Sequence, residues 1–83
     1  MDTQESIKGF IVDNFVLGRD GMAEPGANDS LSKLGLIDST GVLELIAFLE
    51  SKFGISVTDE ETVPENLDSI GQITAFVKRK QAA

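Results

Sequence analysis

The 83-residue chain contains no cysteine, no histidine, no tryptophan and no tyrosine. Each absence excludes something. Without cysteine there is no disulfide, and the chain suits a reducing compartment. Without histidine or cysteine a zinc site lacks its usual ligands, so no metal site is expected. A serine likewise lacks the imidazole base that would turn it into a nucleophile. Bases are scarce: seven Lys and Arg stand against fourteen Asp and Glu, a net charge of −7. Between Asp38 and Asp68 there are eight acids and a single base, Lys52. Binding a phosphate backbone needs clustered Lys and Arg, so nucleic acid is not an expected partner. An acidic surface suits docking to basic protein partners, with charge steering the encounter. The first residues, Met1 to Glu5, form no apolar leader, and no apolar run approaches membrane-spanning length. Membrane insertion is therefore not expected, and the cytoplasm is the expected location.

What remains is a helical pattern in one small domain, residues 1–83. Ile7, Phe10, Ile11 and Phe15 recur at helical spacing, so helix one should run from Asp2 to about Leu17 and end at Gly18. A long connection follows to residue 38, rich in Gly, Pro, Asn and Asp. Leu31, Leu34, Leu36 and Ile37 should pin its second half to the core, with one helical turn near Ser30 to Leu34. Helix two should run from Ser39 to Phe53, with Val42, Leu45, Ile46, Leu49 and Phe53 inward. Asp38 caps its start and Gly54 stops it. Thr58-Asp59-Glu60-Glu61 has capping-box spacing and opens a short third helix that Pro64 limits. Ser69-Ile70-Gly71-Gln72 is a second capping box and opens the last helix, with Ile70, Ile73, Phe76 and Val77 inward. Lys78, Arg79 and Lys80 complement the dipole at its end. The expected fold class is all-α: a four-helix bundle with three main helices, a short third helix and a long loop between helices one and two.

Asp38-Ser39 is the pair that bears on function. It sits at the start of helix two in the run Leu34-Gly35-Leu36-Ile37-Asp38-Ser39-Thr40-Gly41. A nucleophile elbow needs Gly-x-Ser-x-Gly after a strand, and Ile37 stands where the first glycine would be. An aspartic-protease signature needs Asp-Ser-Gly or Asp-Thr-Gly, but Thr40 intervenes before Gly41. No window fits a calcium loop. No catalytic residue is expected, and Ser39 reads as an attachment point. Its hydroxyl lies where free N–H groups and the dipole favour a phosphate. Asp38 already serves as the cap, so the second polar residue is surplus to that role. Stepping 100° per residue places Ser39, Leu43, Ala47 and Glu50 on one flank, with Glu44 further round. This flank is either a docking stripe rimmed by charge or a surface that the long loop covers.

These residues carry a resemblance. Asp38-Ser39, then Glu44-Leu45, Leu49-Glu50 and Phe53, resembles the acyl and peptidyl carrier proteins, over nearly the whole chain in element order and loop length. The resemblance implies that Ser39 carries 4′-phosphopantetheine from coenzyme A, with Asp38 helping to present it. The cofactor would supply the thiol that the chain lacks and hold an acyl or aminoacyl group as a thioester. The implied partners are a phosphopantetheinyl transferase, a cargo-activating ligase or acyltransferase, and downstream condensing or transfer enzymes. The chain itself would be a non-catalytic, stand-alone carrier and a monomer. Leu43, Glu44, Ala47 and Glu50 are the expected partner contacts on helix two, with Glu60 and Glu61 on the third helix. Fatty-acid carriers usually have Leu after the attachment serine, where this chain has Thr40. Gly35-Leu36-Ile37-Asp38-Ser39-Thr40-Gly41 is more similar to D-alanyl carriers, which favour Gly-Leu-Leu-Asp-Ser-Met-Gly, and Phe53-Gly54-Ile55-Ser56-Val57 extends the likeness. Phe48 would fill space between helices and so points away from fatty cargo. The alternative is an acidic helical interaction module with Ser39 unmodified.

Overall fold

Asp2 opens the first helix by accepting a hydrogen bond from the Glu5 N–H at 2.8 Å, which satisfies one of the free donors of the first turn. The computed structural model describes residues 2–16 and 24–82. Helix α1 spans Thr3–Ile11 and passes into a π-helical segment, Val12–Val16. The Asn14 side chain donates to the Phe10 carbonyl at 2.9 Å within this widened turn. The α-helical ladder thus ends earlier than the hydrophobic period suggests. Leu17 and Gly18, the expected end of the helix, lie outside the described residues.

Helix α2 spans Ser39–Phe53, with the expected bounds. Gly54 ends it in the left-handed conformation, φ 67°, and its N–H returns to the Glu50 carbonyl. Only glycine adopts that geometry without strain. The expected short third helix is split. Thr58 and Glu61 form a reciprocal capping box around a 3-10 turn, Asp59–Glu61. Val63 is then extended, φ −131° and ψ 155°, as a residue before proline must be. Helix α3 is one turn, Pro64–Leu67, with Pro64 at its first position, where the missing N–H costs nothing. Ser69 caps α4, Ile70–Ala82, by accepting from the Gln72 N–H at 3.1 Å.

Ile7 and Ile11 of α1, Leu45 and Leu49 of α2, and Ile70, Ile73 and Val77 of α4 are at most 1 % exposed and form one core cluster. Phe76 belongs to the same cluster, so the inward face expected of α4 is the buried one. Val42, Ile46 and Phe53 pack against the cluster but are only partly buried. Phe48 stacks on Phe10 of α1 with ring centroids 4.2 Å apart, and both rings stay partly buried against the core.

Leu31 and Leu36 pin the loop before α2 to the core, with Leu31 fully buried and Leu36 at 2 %. The turn expected near Ser30 to Leu34 is present, closed by the Leu34 N–H on the Ser30 carbonyl at 3.1 Å. Leu34 itself is 40 % exposed and does not join the core, contrary to expectation. The turn directs Leu31 inward, and three residues further on Leu34 faces solvent.

Asp68 clasps this loop to the α3–α4 junction. Its carboxylate accepts from the Ser30 hydroxyl and from the Ser32 N–H, and its carbonyl accepts from the Leu31 N–H. Burial pulls the Asp68 carboxyl upward. The Ser30 hydroxyl and the Ser32 N–H outweigh burial and hold it below its ordinary 3.8. Glu61, held by the Thr58 N–H and by Lys80, is likewise below its ordinary 4.5. Carboxyls depressed in the folded state stabilise it above their unfolded values, and that contribution is lost as pH falls through the folded ones. Acid melts should therefore show Asp68→Asn as less stable than the native protein at neutral pH. The gap should close between about pH 5 and about pH 2. A gap that persisted unchanged at the acid end would refute the clasp's electrostatic share.

The same loop meets α4 at Gly71, whose N–H donates to the Ala27 carbonyl at 2.8 Å. A Cβ on Gly71 would lie 3.0 Å from that carbonyl oxygen, a backbone atom with little room to move. Alanine gains about 1 kcal/mol of helix propensity but overpacks at a cost of about 1–3 kcal/mol. Gly71→Ala should lower stability, with Tm falling about 4–8 °C per kcal/mol lost. Calorimetry showing a higher Tm would overturn this reading.

Candidate functional site

The start of α2 is built from two sides. Asp38 is extended, φ −115° and ψ −171°, and its Oδ1 accepts from the Gly41 N–H at 2.7 Å. Its carbonyl takes the first helical bond, from the Val42 N–H at 2.9 Å. From the other side, Phe15 of the π-helical segment packs on Gly41. A Cβ there would come within 3.2 Å of the Phe15 ring and 3.4 Å of Asp38 Oδ1. Glycine at this buried position lets the ring approach the helix terminus. Ser39, the first helical residue, is exposed. The cap is filled by its neighbour, so the Ser39 hydroxyl is not needed for that role.

A cleft of about 290 Å³ lies beside Ser39. Ile37, Val42, Val63, Pro64 and Leu67 supply its apolar surface. Ser32, Asp38, Thr62 and Asp68 supply the polar groups. Helix α2, the loop before it and the split third helix thus converge at one hydroxyl. A wider groove, about 840 Å³, opens over Phe10 and Phe48, and neither Asp38 nor Ser39 lines it.

The flank expected on α2 is displayed: Ser39, Leu43, Ala47 and Glu50 are all exposed, Leu43 at 68 %. Leu43 is therefore open to solvent, and the reading in which it is covered falls. Glu44 and Glu60 are also exposed. Glu50 has a structural task besides, since its Oε2 accepts from the Val57 N–H at 2.9 Å. Glu61 is half-buried, bonded to Lys80 at 2.9 Å and to the Thr58 N–H at 3.0 Å. Phe15, Gly41, Thr62 and Asp68 also build this site, a role that the sequence pattern alone does not assign to them. The Gly41 position, a helix-first-turn glycine beside a polar pair, was the available signal for a close approach.

Fold and site together define an acidic all-α module that presents a hydroxyl at a helix start, without the histidine or cysteine that would activate it. The phosphopantetheine attachment site family matches residues 16–77, and the chain belongs to that family. It is a carrier-protein bundle that takes 4′-phosphopantetheine. A D-alanyl carrier protein of Abiotrophia defectiva is 35 % identical over 49 residues, covering 59 % of this chain and 62 % of that protein. An acyl carrier protein of Lactobacillus acidophilus is 31 % identical over 75 residues, covering 90 % of this chain and 88 % of that protein. The chain thus spans under two thirds of the first relative and most of the second. Among the described residues, no helix is long and apolar enough to cross a membrane.

The residues at the start of α2 suit the prosthetic group. An exposed hydroxyl stands at a helix N-terminus, where a phosphodiester is favoured. Next to it lies an apolar-floored cleft on which an arm can rest.

Proposed function

We propose that Ser39 is the attachment residue and that the chain shuttles an acyl or aminoacyl group between partner enzymes. The observation that carries this is the exposed Ser39 hydroxyl beside a cap already filled by Asp38. Attachment forms a phosphodiester at Ser39 Oγ and breaks the pyrophosphate bond of coenzyme A. Adenosine 3′,5′-bisphosphate leaves, and the hydroxyl proton passes to a base of the transferase. The bound group would supply a thiol, on which cargo is held as a thioester.

This chain's residues have three tasks. Asp38 fixes the first turn of α2 and so the direction of the Ser39 side chain. Leu43 and Ala47 offer a small apolar patch to partners, and Glu44 and Glu60 rim it with charge that steers basic surfaces. Glu50 and Glu61 contribute to the rim while holding the loop after α2 and the end of α4. The partners are a phosphopantetheinyl transferase, a ligase or acyltransferase that activates cargo, and enzymes that receive it. The carrier acts as their cosubstrate, in the cytoplasm, with residues 1–83 serving as one domain.

Intact mass after incubation with coenzyme A and a broad-specificity phosphopantetheinyl transferase tests the reading. One phosphopantetheine adduct per chain is expected. Folded protein left unmodified by several transferases would overturn it and leave an acidic interaction module.

A further inference from the structure

Gly41, the third residue of α2, is buried. Its φ is not positive; among the described residues Gly35 and Gly54 are the positive-φ glycines. The backbone therefore does not require glycine there, and alanine is the better helix former. What glycine serves is the close approach of the Phe15 ring: a Cβ would lie 3.2 Å from Phe15 Cε1 and 3.6 Å from Cζ. At about 100° per residue, position 41 points about 200° round α2 from position 39. The ring thus abuts the helix on the side away from the exposed Ser39. Phe15 is itself held. It meets Phe10 edge to face with centroids 5.8 Å apart, and Phe10 stacks on Phe48. Phe48 and Gly41 are seven residues apart, so they share a face of α2. The end of α1 therefore grips that face at two points, one through Phe10 and one at the attachment turn itself. The second point lies in the π-helical segment, Val12–Val16, a rare geometry that is frequent at functional sites. The Gly41 N–H also donates to Asp38 Oδ1 at 2.7 Å, so ring and cap converge on one residue.

Resting on the attachment role of Ser39, we infer that Phe15 and Gly41 are positioning residues for phosphopantetheine transfer: the ring braces the first turn of α2 from behind and fixes the aim of the Ser39 hydroxyl in the transferase complex. Gly41 is buried and faces away from Ser39, so its influence passes through the first turn and not through contact with the transferase. A Cβ on Gly41 would lie 3.4 Å from Asp38 Oδ1, an ordinary contact, so the cap stays and the ring must give by a few tenths of an ångström. Misplacing a reacting group by about 1 Å can cost about a hundredfold in rate, so a shift of this size should cost about three- to tenfold.

The test uses the full chain, coenzyme A and a broad-specificity phosphopantetheinyl transferase. Steady-state kinetics are measured on Gly41→Ala, Phe15→Ala, Phe15→Leu and the double variant Gly41→Ala with Phe15→Leu. Tm of each is read first, and the assay is run where all are folded. Gly41→Ala should lower kcat about three- to tenfold and leave the KM for the carrier within about twofold of native. Leucine lacks the Cε1 and Cζ atoms that the new Cβ meets, so the double variant should regain kcat to within about twofold of native. Phe15→Leu alone keeps an apolar contact and should stay within about twofold as well. Phe15→Ala removes the brace and should lower kcat. Helix ends open locally, so loss of the brace should also speed hydrogen exchange at the residue-41 amide at least about threefold, a change that lower global stability alone does not produce. If Phe15→Ala does not fold, Gly41→Ala and its rescue decide. Native kcat in Gly41→Ala overturns the inference. So does an effect confined to KM, which makes this a docking contact, or a double variant no faster than Gly41→Ala, or an unmoved residue-41 amide in folded Phe15→Ala. These failures all come with a native chain that is modified. Absence of an adduct on the native chain strikes instead at Ser39 as the attachment residue, and the positioning role falls with it.

Discussion

Ser39→Ala is expected to abolish the phosphopantetheine adduct while leaving the fold intact. The two halves of that result have separate causes. Attachment needs a hydroxyl at this position, and alanine has none. Stability does not need it, because Asp38 accepts from the Gly41 N–H and already caps α2. Substitution of an exposed side chain away from such contacts stays within about 0.5 kcal/mol, and alanine is the best helix former. The measurement is paired: intact mass after transferase treatment, and thermal melting of the same two proteins. Asp38→Ala is the instructive control. It removes the cap at a cost of typically about 1 kcal/mol, so it should lower Tm and slow modification while leaving the hydroxyl in place. A Ser39→Ala protein that still gained the adduct would move the attachment residue elsewhere and overturn the proposed site.

Much of this region was legible because its chemistry is local. Asp38 and Gly41 lie three residues apart, and Gly54 follows the last apolar position of α2, so the helix's bounds could be read from propensity and capping alone. The capping box at Thr58 and the Ser69 cap were readable for the same reason. What could not be read depends on contacts distant in sequence or on departures from ideal helices. The Asp68 clasp on Ser30 joins residues 38 apart. Lys80 reaches Glu61 across nineteen positions. Phe15 was placed by the 3.6-residue period, but it lies in a π-helical turn, with Asn14 bonded to Phe10, and packs on Gly41. Proline signalled a limit to the third helix but not that a new turn would begin on it. The flank of α2 is the intermediate case. Periodicity placed Ser39, Leu43, Ala47 and Glu50 together, but whether the loop covers Leu43 is a tertiary question that only exposure decides. The family is where sequence and comparison meet, and Thr40 after Ser39 remains the local departure from fatty-acid carriers.

Leu43 and Leu45 are two residues apart on one helix and should answer to different assays. Leu45 is fully buried, in the cluster with Ile7, Leu49 and Ile73. Leu45→Ala removes buried methyl groups and leaves a cavity, a loss of about 2–5 kcal/mol. Against a total of about 5–15 kcal/mol for a domain, that is a large fraction, and part of the population could unfold at physiological temperature. Leu43 is 68 % exposed, so Leu43→Ala should change stability by no more than about 0.5 kcal/mol. Its effect should fall on partners. On the proposed docking flank, Leu43 would be the apolar centre of a small interface, and truncating such a residue costs at least about 1 kcal/mol where it carries binding. Phosphopantetheinylation of Leu43→Ala should then lose roughly fivefold or more in kcat/KM, with Tm unchanged. Leu45→Ala, assayed cold enough to keep it folded, should be modified at a near-native rate while melting far earlier. Circular dichroism melts and transferase kinetics on the two variants separate the roles. If Leu43→Ala were modified by the transferase and loaded by the activating enzyme at native rates, the stripe would be an ordinary solvated face, and partner recognition would have to rest on the charged rim of Glu44 and Glu60 instead.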